Sequence, residues 1–257
     1  MKIVGMIPAR YKSSRLPGKV LLEIAGKPMI QHVWERAKQA RSLEDVIVAT
    51  DDERVFSAVR AFGGNVEMTA PYHSCGTDRL AEVASRSDAD LIVNLQGDEP
   101  LMEPQVIEAV VAPFLMEKDL RMGTVATPIR TAEEHLDDAT VKVVLDNRGY
   151  ALYFSRAPIP YFRIDGVPPW SIEEKRQHPT SKLWPLKHLG LYAYTRETLL
   201  WLSALKPTPL EQTEKLEQLR ALENGCPIRV VTVDYSPIGV DTEADLEAVR
   251  RKMEGRR

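Results

Sequence analysis

The fold is decided at the amino terminus by the run Lys2-Ile3-Val4-Gly5-Met6-Ile7. It is followed directly by Pro8-Ala9-Arg10-Tyr11-Lys12-Ser13-Ser14-Arg15-Leu16-Pro17-Gly18-Lys19. The first run is short, apolar and partly β-branched, as a buried strand requires. The second run carries four cations, two serines and a single glycine. A buried strand that ends in a basic loop is typical of an open α/β sheet, whose ligands bind at the carboxyl ends of the strands.

Beyond this loop, short β-branched runs alternate with segments of helical period. Strands are predicted at 2–7, 46–49, 91–95, 188–194 and 228–233. Helices are predicted through 29–37, 55–62, 104–117, 211–222 and 243–253. This alternation predicts one α/β domain over 1–257, with a mainly parallel twisted sheet and helices on both faces.

The region 140–195 departs from the alternation. Strand-like residues surround Asn147-Arg148-Gly149, which predicts a hairpin or a bent strand. Residues 158–185 then carry six prolines and many charges, which predicts a long loop. We therefore expect 140–195 to form an inserted strand and loop subregion, and we name it as a candidate dimer arm.

The composition of the 257 residues limits the kind of partner. Hydrophobic residues at 44% and charged residues at 28% are close to globular averages, which argues against long disordered stretches. A formal net charge of −3 argues against a nucleic-acid coat or a polybasic membrane anchor. Two widely separated cysteines and no apolar run of membrane-spanning length indicate a cytoplasmic protein with small-molecule partners.

The basic loop at 8–19 has the chemistry of a triphosphate site. Guanidinium forks, a flexible ammonium and backbone N–H groups can converge there on several phosphate oxygens. The loop is not a Walker loop, because Val20 stands after Lys19 where serine or threonine is required, and it lacks the three glycines of the dinucleotide fingerprint. The alternative is a solvated basic loop with no ligand.

Two carboxylates follow strands that should end at the same sheet edge. Asp98 lies after the strand at 91–95, and Asp241 lies after the strand at 228–233. One or two carboxylates with substrate phosphates suffice for Mg²⁺, so the pair is a candidate metal site. The alternatives are a turn carboxylate for Asp98 and a helix N-cap for Asp241.

Other acidic pairs are assigned structural roles. Asp88 and Asp90 spell the Asp-x-Asp of many glycosyltransferases, but they precede their strand and should lie at the opposite sheet edge. Asp51 and Asp52 follow the second strand, but Asp52 with Glu53 is typical of the acidic first turn of the next helix.

Several runs in order along the whole chain carry a family resemblance. They are Gly26-Lys27-Pro28-Met29-Ile30, Gln96-Gly97-Asp98-Glu99-Pro100, Lys142-Val143-Val144-Leu145-Asp146, Gly149-Tyr150-Ala151-Leu152-Tyr153-Phe154-Ser155-Arg156, His188-Leu189-Gly190-Leu191-Tyr192, Leu216-Glu217-Gln218-Leu219-Arg220 and Gly239-Val240-Asp241-Thr242. With these runs the chain resembles the 3-deoxy-manno-octulosonate (Kdo) cytidylyltransferase family of lipopolysaccharide biosynthesis. The resemblance implies a nucleotidyltransferase that activates Kdo with CTP to give CMP-Kdo and pyrophosphate.

The resemblance also implies the site residues. Positions assigned to the nucleotide are Ala9, Arg10, Ser13, Arg15, Lys19, Gly76, Thr77, Gln96 and Asp98. Positions assigned to the sugar are Arg79, Gln96, Ser155, Arg156, His188, Tyr192, Glu217 and Gln218. The catalytic set is Arg10, Arg15, Lys19, Asp98 and Asp241, the last two as ligands of Mg²⁺. Without the resemblance, His188 is an ordinary core histidine and Glu217 with Gln218 a solvated helix face.

Two rival functions stay open from the sequence. One is a CMP-synthetase for another sugar acid such as a neuraminate, against which the motifs around His188 and Glu217 argue. The other is a nucleotide-binding module without chemistry, which would not need a second carboxylate beside the first. The family is typically dimeric, so we expect a homodimer that binds CTP and Kdo, with no nucleic-acid or membrane partner.

Overall fold

A nine-stranded sheet organises the computed structural model, which describes residues 1–12, 16–73, 75–161, 185–236 and 238–255. The strands of the chain are β1 Ile3–Ala9, β2 Glu23–Ile24, β3 Lys27–Pro28, β4 Asp45–Thr50, β5 Asn65–Met68, β6 Leu91–Asn94, β7 Met122–Pro128, β8 Lys142–Leu145, β9 Ala151–Ser155, β10 Leu186–Thr195 and β11 Ile228–Thr232. β2 and β3 form a small separate hairpin, and the other nine strands form the sheet. The helices are α1 Met29–Ala37, α2 Glu53–Ala61, α3 Gly76–Arg86, α4 Pro104–Met116, α5 Ala132–Leu136, α6 Arg196–Ala204, α7 Pro209–Glu214, α8 Gln218–Glu223 and α9 Glu243–Glu254.

The strand order is β11-β7-β10-β6-β1-β4-β5. β1 runs parallel to β4 and β6, β4 to β5, and β11 to β7. β10 is antiparallel to both of its neighbours, β6 and β7. The predicted α/β fold with a mainly parallel sheet is confirmed, and the parallel strands β1 and β6 end at one edge, where ligands of open sheets bind.

Apolar side chains alternate along β1 and supply both faces of the sheet. Ile3 and Ile7 join a core that is covered by α1, α2 and α4. Val4 and Met6 join a second core, covered by α3, α6 and α8. Since successive strand residues point to opposite faces, one short run ties both helical layers to the sheet. No helix in the described part of the chain is long and apolar enough to cross a membrane.

The predicted helix at 211–222 is wrong in one respect, because the chain forms two helices there. α7 ends at Glu214, and Lys215 takes a left-handed conformation with φ 56° before α8 begins at Gln218. Leu216 in the link and Leu219 on α8 pack into the second core. A buried ion pair, with Arg220 Nε 2.7 Å from Glu211 Oε2, joins the two helices.

The region 140–195 contains a confirmed hairpin. β8 and β9 pair antiparallel around Gly149, whose φ is 82°, and β8 also pairs with β10. β10 itself lies in the middle of the sheet. Residues 162–184 of the predicted loop lie outside the described residues. The limits of the subregion and its role as a dimer arm stay predictions.

Candidate active site

The basic loop leaves the sheet at Ala9 and returns to it through a tight turn. Gly18 N donates to Tyr11 O at 2.9 Å, which closes the loop. Gly18 has φ 68°, and a Cβ there would lie 3.1 Å from the Tyr11 ring, so glycine fits both the backbone and the contact. A 3-10 turn, Lys19–Leu21, follows at once. Ser13 and Arg15, both predicted to bind the nucleotide, lie outside the described residues.

Lys19 bridges the two predicted carboxylates. Its Nζ lies 2.6 Å from Asp98 Oδ2 and 3.0 Å from Asp241 Oδ1, and it donates to Val240 O at 3.2 Å. Val240 N donates to Asp98 O at 2.9 Å, which holds the two carboxylate loops together. The structure therefore brings Asp98 and Asp241 to one point, as the strand ends predict, and places an ammonium between them.

The charges at this point depend strongly on one another. Burial opposes the charge of Lys19, but the negative charge of Asp98 and hydrogen bonds to Asp98 and Asp241 together raise the pKa of the ammonium. Next to it, burial and the charge of Asp98 raise the pKa of Glu99 to about 7. Lys19 thus stays protonated at neutral pH and partly neutralises the carboxylate pair.

The oxygens around Lys19 fit a hard cation. They come from two carboxylates and one backbone carbonyl, the donor types that Mg²⁺ prefers. Within the described residues, no group of three or more His, Cys, Asp or Glu side chains is arranged to hold a metal ion. A magnesium ion here would therefore depend on oxygens from the substrate and from water as well as on Asp98 and Asp241.

The structural alternatives for the acidic residues are resolved by their contacts. Asp241 is not the cap of α9, because Thr242 is its N-cap and accepts from Asp245 N. Asp88 lies 2.5 Å from Lys2 Nζ, ahead of β1 and so at the edge opposite Asp98. Asp52 caps α2 by accepting from Arg54 N, as its first-turn position predicts.

A cavity of about 250 Å³ opens beside the carboxylates at the same edge of the sheet. It is lined by Pro8, Gly76, Thr77, Asn94, Gln96, Met122, Tyr192, Tyr194, Leu202, Lys215, Leu216, Glu217 and Gln218. Six of these were predicted, two for the nucleotide, three for the sugar and Gln96 for both. Pro8 and Gln96 each lie two residues before a predicted catalytic residue, so the cavity adjoins the Lys19 site.

Polar groups in the cavity are held in place by the protein. Thr77 Oγ1 donates to Glu217 Oε2 at 2.7 Å, and Gln96 Nε2 donates to Gly190 O at 2.7 Å. Gln218 is 6% exposed, and its buried Nε2 has no hydrogen-bond partner among the residues that the structure describes. A buried amide without a partner is unfavourable, so a ligand that accepts from Gln218 gains that missing bond.

Three polar lining residues, Asn94, Tyr194 and Lys215, were not predicted from the sequence. Asn94 lies two residues before Gln96, and this spacing places both on one face of the strand and its extension. On β10, Tyr194 lies two residues after Tyr192, so both side chains lie on one face of that strand. No sequence pattern indicated Lys215, because its position depends on the break between α7 and α8.

Arg79 and His188 are not among the lining residues. Arg79 is fully buried, pairs with Asp51 Oδ2 at 3.1 Å and donates to Thr69. His188 Nε2 lies 3.0 Å from Thr124 Oγ1, and its ring packs against Phe154 and Tyr192. Burial lowers the pKa of His188 to about 3, so the imidazole is neutral. Direct sugar contact by these two residues stays a prediction, and in this structure both bind other protein groups.

Ser155 and Arg156 also bind protein groups rather than the cavity. Ser155 Oγ donates to Glu214 Oε1 at 2.6 Å, and Arg156 Nε donates to Glu214 O at 2.8 Å. Neither lines the cavity. Their predicted direct sugar contact stays a prediction, and in this structure both side chains hold the end of α7.

Known proteins settle the family. A family model described as cytidylyltransferase matches residues 4–231. The 3-deoxy-manno-octulosonate cytidylyltransferase of Geobacter metallireducens is 54% identical over 253 residues, which cover 98% of each chain. The chain belongs to this cytidylyltransferase family. The Geobacter sulfurreducens member of the same name is 53% identical over 98% of this cytidylyltransferase and 100% of its own length.

Solved structures agree with the cytidylyltransferase fold. One of CMP:2-keto-3-deoxy-manno-octonic acid synthetase complexed with CTP superposes with a TM-score of 0.89 at 46% identity, over 100% of both chains. A cytidylyltransferase from Leptospira borgpetersenii gives a TM-score of 0.62 at 17% identity, a likeness of fold alone. The family resemblance, the fold class and the enzyme class expected for this cytidylyltransferase are therefore confirmed.

Proposed function

We propose that this cytidylyltransferase transfers the cytidylyl group of CTP to Kdo, giving CMP-Kdo and pyrophosphate for lipopolysaccharide biosynthesis. The observation that carries the proposal is the meeting of Lys19, Asp98 and Asp241 at the sheet edge where the cavity lined by Gln96, Glu217 and Gln218 opens. The site around Lys19 suits a metal-bound triphosphate, and the cavity suits a polyhydroxylated acid. Relatives of that name match over essentially the full chain.

In the reaction, the anomeric hydroxyl oxygen of the sugar bonds to the α-phosphorus, and the bond from that phosphorus to the bridging oxygen breaks. The pyrophosphate leaves with the electron pair of that bond. Arg10, Arg15 and Lys19 are assigned to binding the triphosphate and opposing the charge that develops on the leaving group. Bound Mg²⁺, held by Asp98 and Asp241, would supply charge neutralisation and lower the pKa of the sugar hydroxyl.

The cavity supplies the groups that a sugar acid needs. Glu217, Gln218 and Gln96 offer acceptors and donors for hydroxyl groups. Lys215 is the cation among the described lining residues, and we assign it to the sugar carboxylate in place of Arg79. The protein thereby fixes the acceptor beside the triphosphate, which is its main contribution to rate in phosphoryl transfer.

A grid of pyrophosphate-release assays tests the function. The four common nucleoside triphosphates are each paired with Kdo, a neuraminate and a sugar 1-phosphate, with Mg²⁺ present. We expect turnover with CTP and Kdo above every other pair. Turnover with CTP and a neuraminate alone would support the rival sugar acid, and CTP binding without release in any pair would support a non-catalytic module.

Gln218→Ala should raise the KM for Kdo about tenfold and leave the affinity for CTP unchanged. The loss of one hydrogen bond in a buried site costs on the order of 1–2 kcal/mol, which corresponds to about a tenfold loss of affinity. The measurements are steady-state kinetics in each substrate and calorimetry with CTP. Gln212→Ala on the exposed side of α7 is the matched control. Equal KM values in the two variants would remove Gln218 from the sugar site.

The oligomeric state, the cellular location and the partners are part of the same proposal. We expect a homodimer in the cytoplasm with no nucleic-acid or membrane partner, because the family resemblance and the net charge of −3 favour those outcomes.

A further inference from the structure

Four consecutive residues form one wall of the cavity. They are Lys215, Leu216, Glu217 and Gln218, here called the cavity wall, and they link the end of α7 to the start of α8. Lys215 has φ 56° and ψ 46°, a conformation that is unfavourable for a residue with a side chain. A short link with such a residue keeps one geometry only when the residues at its ends are fixed.

Glu214 fixes the first end. Its Oε1 accepts from Ser155 Oγ at 2.6 Å and from Tyr153 OH at 3.3 Å. Its Oε2 accepts from Arg156 N at 2.9 Å, and its main-chain oxygen accepts from Arg156 Nε at 2.8 Å. Although burial acts in the opposite direction, hydrogen bonds from Arg156 N, Ser155 and Tyr153 lower the pKa of Glu214, so it is ionised at neutral pH.

A fully buried lysine holds the strand end that Glu214 contacts. Lys142 Nζ donates to the carbonyl oxygens of Asp137 at 2.8 Å, Thr140 at 2.6 Å and Arg156. Arg156 is therefore bound on its N–H, its carbonyl and its guanidinium. Glu214 is thus anchored to the end of β9, which Lys142 holds in place.

Thr77 fixes the other end of the cavity wall. Its hydroxyl donates to Glu217 Oε2 at 2.7 Å from the first turn of α3. The wall is held at Glu214 by β9 and at Glu217 by α3. Gln218, whose Nε2 lacks a partner in the described part of the chain, directly follows the second anchor.

We propose that Glu214 is a positioning residue for the acceptor sugar. It does not line the cavity, but its carboxylate sets the geometry of the adjoining wall that carries Lys215, Glu217 and Gln218. The substrate assignment rests on the proposed function. The positioning of the wall stands on the contacts of Glu214 and can be measured without any substrate.

Glu214→Gln is the test substitution. Glutamine keeps the shape but replaces one accepting oxygen with an NH₂ group, so Arg156 N–H or the Ser155 hydroxyl loses its acceptor. We expect the KM for Kdo to rise about tenfold, with the KM for CTP within twofold of wild type, because one lost buried acceptor changes affinity by about that factor. Amide hydrogen exchange of a peptide covering 215–218 should become at least about tenfold faster in the ligand-free protein.

Glu223→Gln is the matched control. Glu223 lies on α8, is exposed, and accepts from Leu210 N at 3.2 Å, so it links the same two helices away from the cavity. Both KM values and the exchange of 215–218 should stay at wild-type values. Tyr153→Phe removes only the 3.3 Å bond to Glu214 and should raise the KM for Kdo about threefold, which tests the proposal if Glu214→Gln does not fold.

The outcomes separate this proposal from the proposed function. If Glu214→Gln raises both KM values equally, or lowers the melting temperature with the KM for Kdo unchanged, the positioning role is overturned. Unchanged exchange at 215–218 overturns it as well. If the wild-type protein does not use Kdo, the proposed function fails, whereas faster exchange in Glu214→Gln alone still supports the anchor.

Discussion

Asp241→Asn is expected to lower the turnover number at least about a hundredfold while the protein keeps its fold. Asn preserves the size of the side chain and one neutral oxygen, but it removes the charge that attracts a divalent cation. Charge stabilisation by a catalytic metal is worth several kcal/mol, which corresponds to this factor or more. The Asp241 side chain is 46% exposed, so loss of its ion pair with Lys19 should change stability little.

The measurement is turnover at limiting and at excess Mg²⁺, together with a melting curve. Asp98→Asn should behave in the same way, and excess Mg²⁺ should restore part of the rate in both variants. Asp234→Asn is the control, because this exposed carboxylate after β11 pairs with Arg130 and lies outside the site. Normal turnover of Asp241→Asn at limiting Mg²⁺ would refute its assignment as a metal ligand.

Lys19→Met is expected to have opposite effects on turnover and on metal binding. Turnover should fall about a hundredfold, because an ammonium that opposes developing phosphate charge is lost. Binding of Mn²⁺ without nucleotide should tighten about tenfold, because in the wild-type protein the ammonium competes for the same oxygens of Asp98 and Asp241. A unit charge near 3 Å in a partly exposed site interacts by on the order of 1–4 kcal/mol, enough for that change.

Electron paramagnetic resonance titration with Mn²⁺ measures the metal affinity, and calorimetry measures CTP binding. Lys27→Met is the matched control, because Lys27 pairs with Glu35 on α1 and not with the site. Mn²⁺ affinity at or below the wild-type value in Lys19→Met would show that the ammonium does not compete with metal. CTP affinity lost with normal residual turnover would show that Lys19 serves binding alone.

Local sequence patterns predicted most elements of the fold. The apolar run at 2–7 and the periodic stripe from Met29 gave β1 and α1 with small errors at the ends. β7, which is buried along nearly its whole length, was missed because its residues, among them two threonines and a glycine, show neither an apolar run nor a regular alternation. The break at Lys215 was missed because no glycine or proline marks it, and a left-handed lysine has no signal in the sequence.

The sequence predicted those site residues that follow the end of a strand. Asp98 and Asp241 could be paired from topology alone, since strands of one sheet that run in the same direction end at the same edge. The positions of Arg79 and Ser155 could not, because their partners, Asp51 and Glu214, lie across the fold rather than nearby in sequence or along a strand. Residue type showed that these side chains are polar, but only packing showed which partner each one binds.

The bridge from Lys19 has a consequence for how the enzyme gains activity as it folds. Its two ion pairs span 79 and 222 residues of the chain. Contacts between such distant residues require closure of long loops, so they form late and contribute little to early folding intermediates. A chain that lacks the residues after β11 would keep most of the cavity but not Asp241. Catalytic competence should therefore appear only with the last carboxyl-terminal contacts, which makes activity a sensitive readout of complete folding.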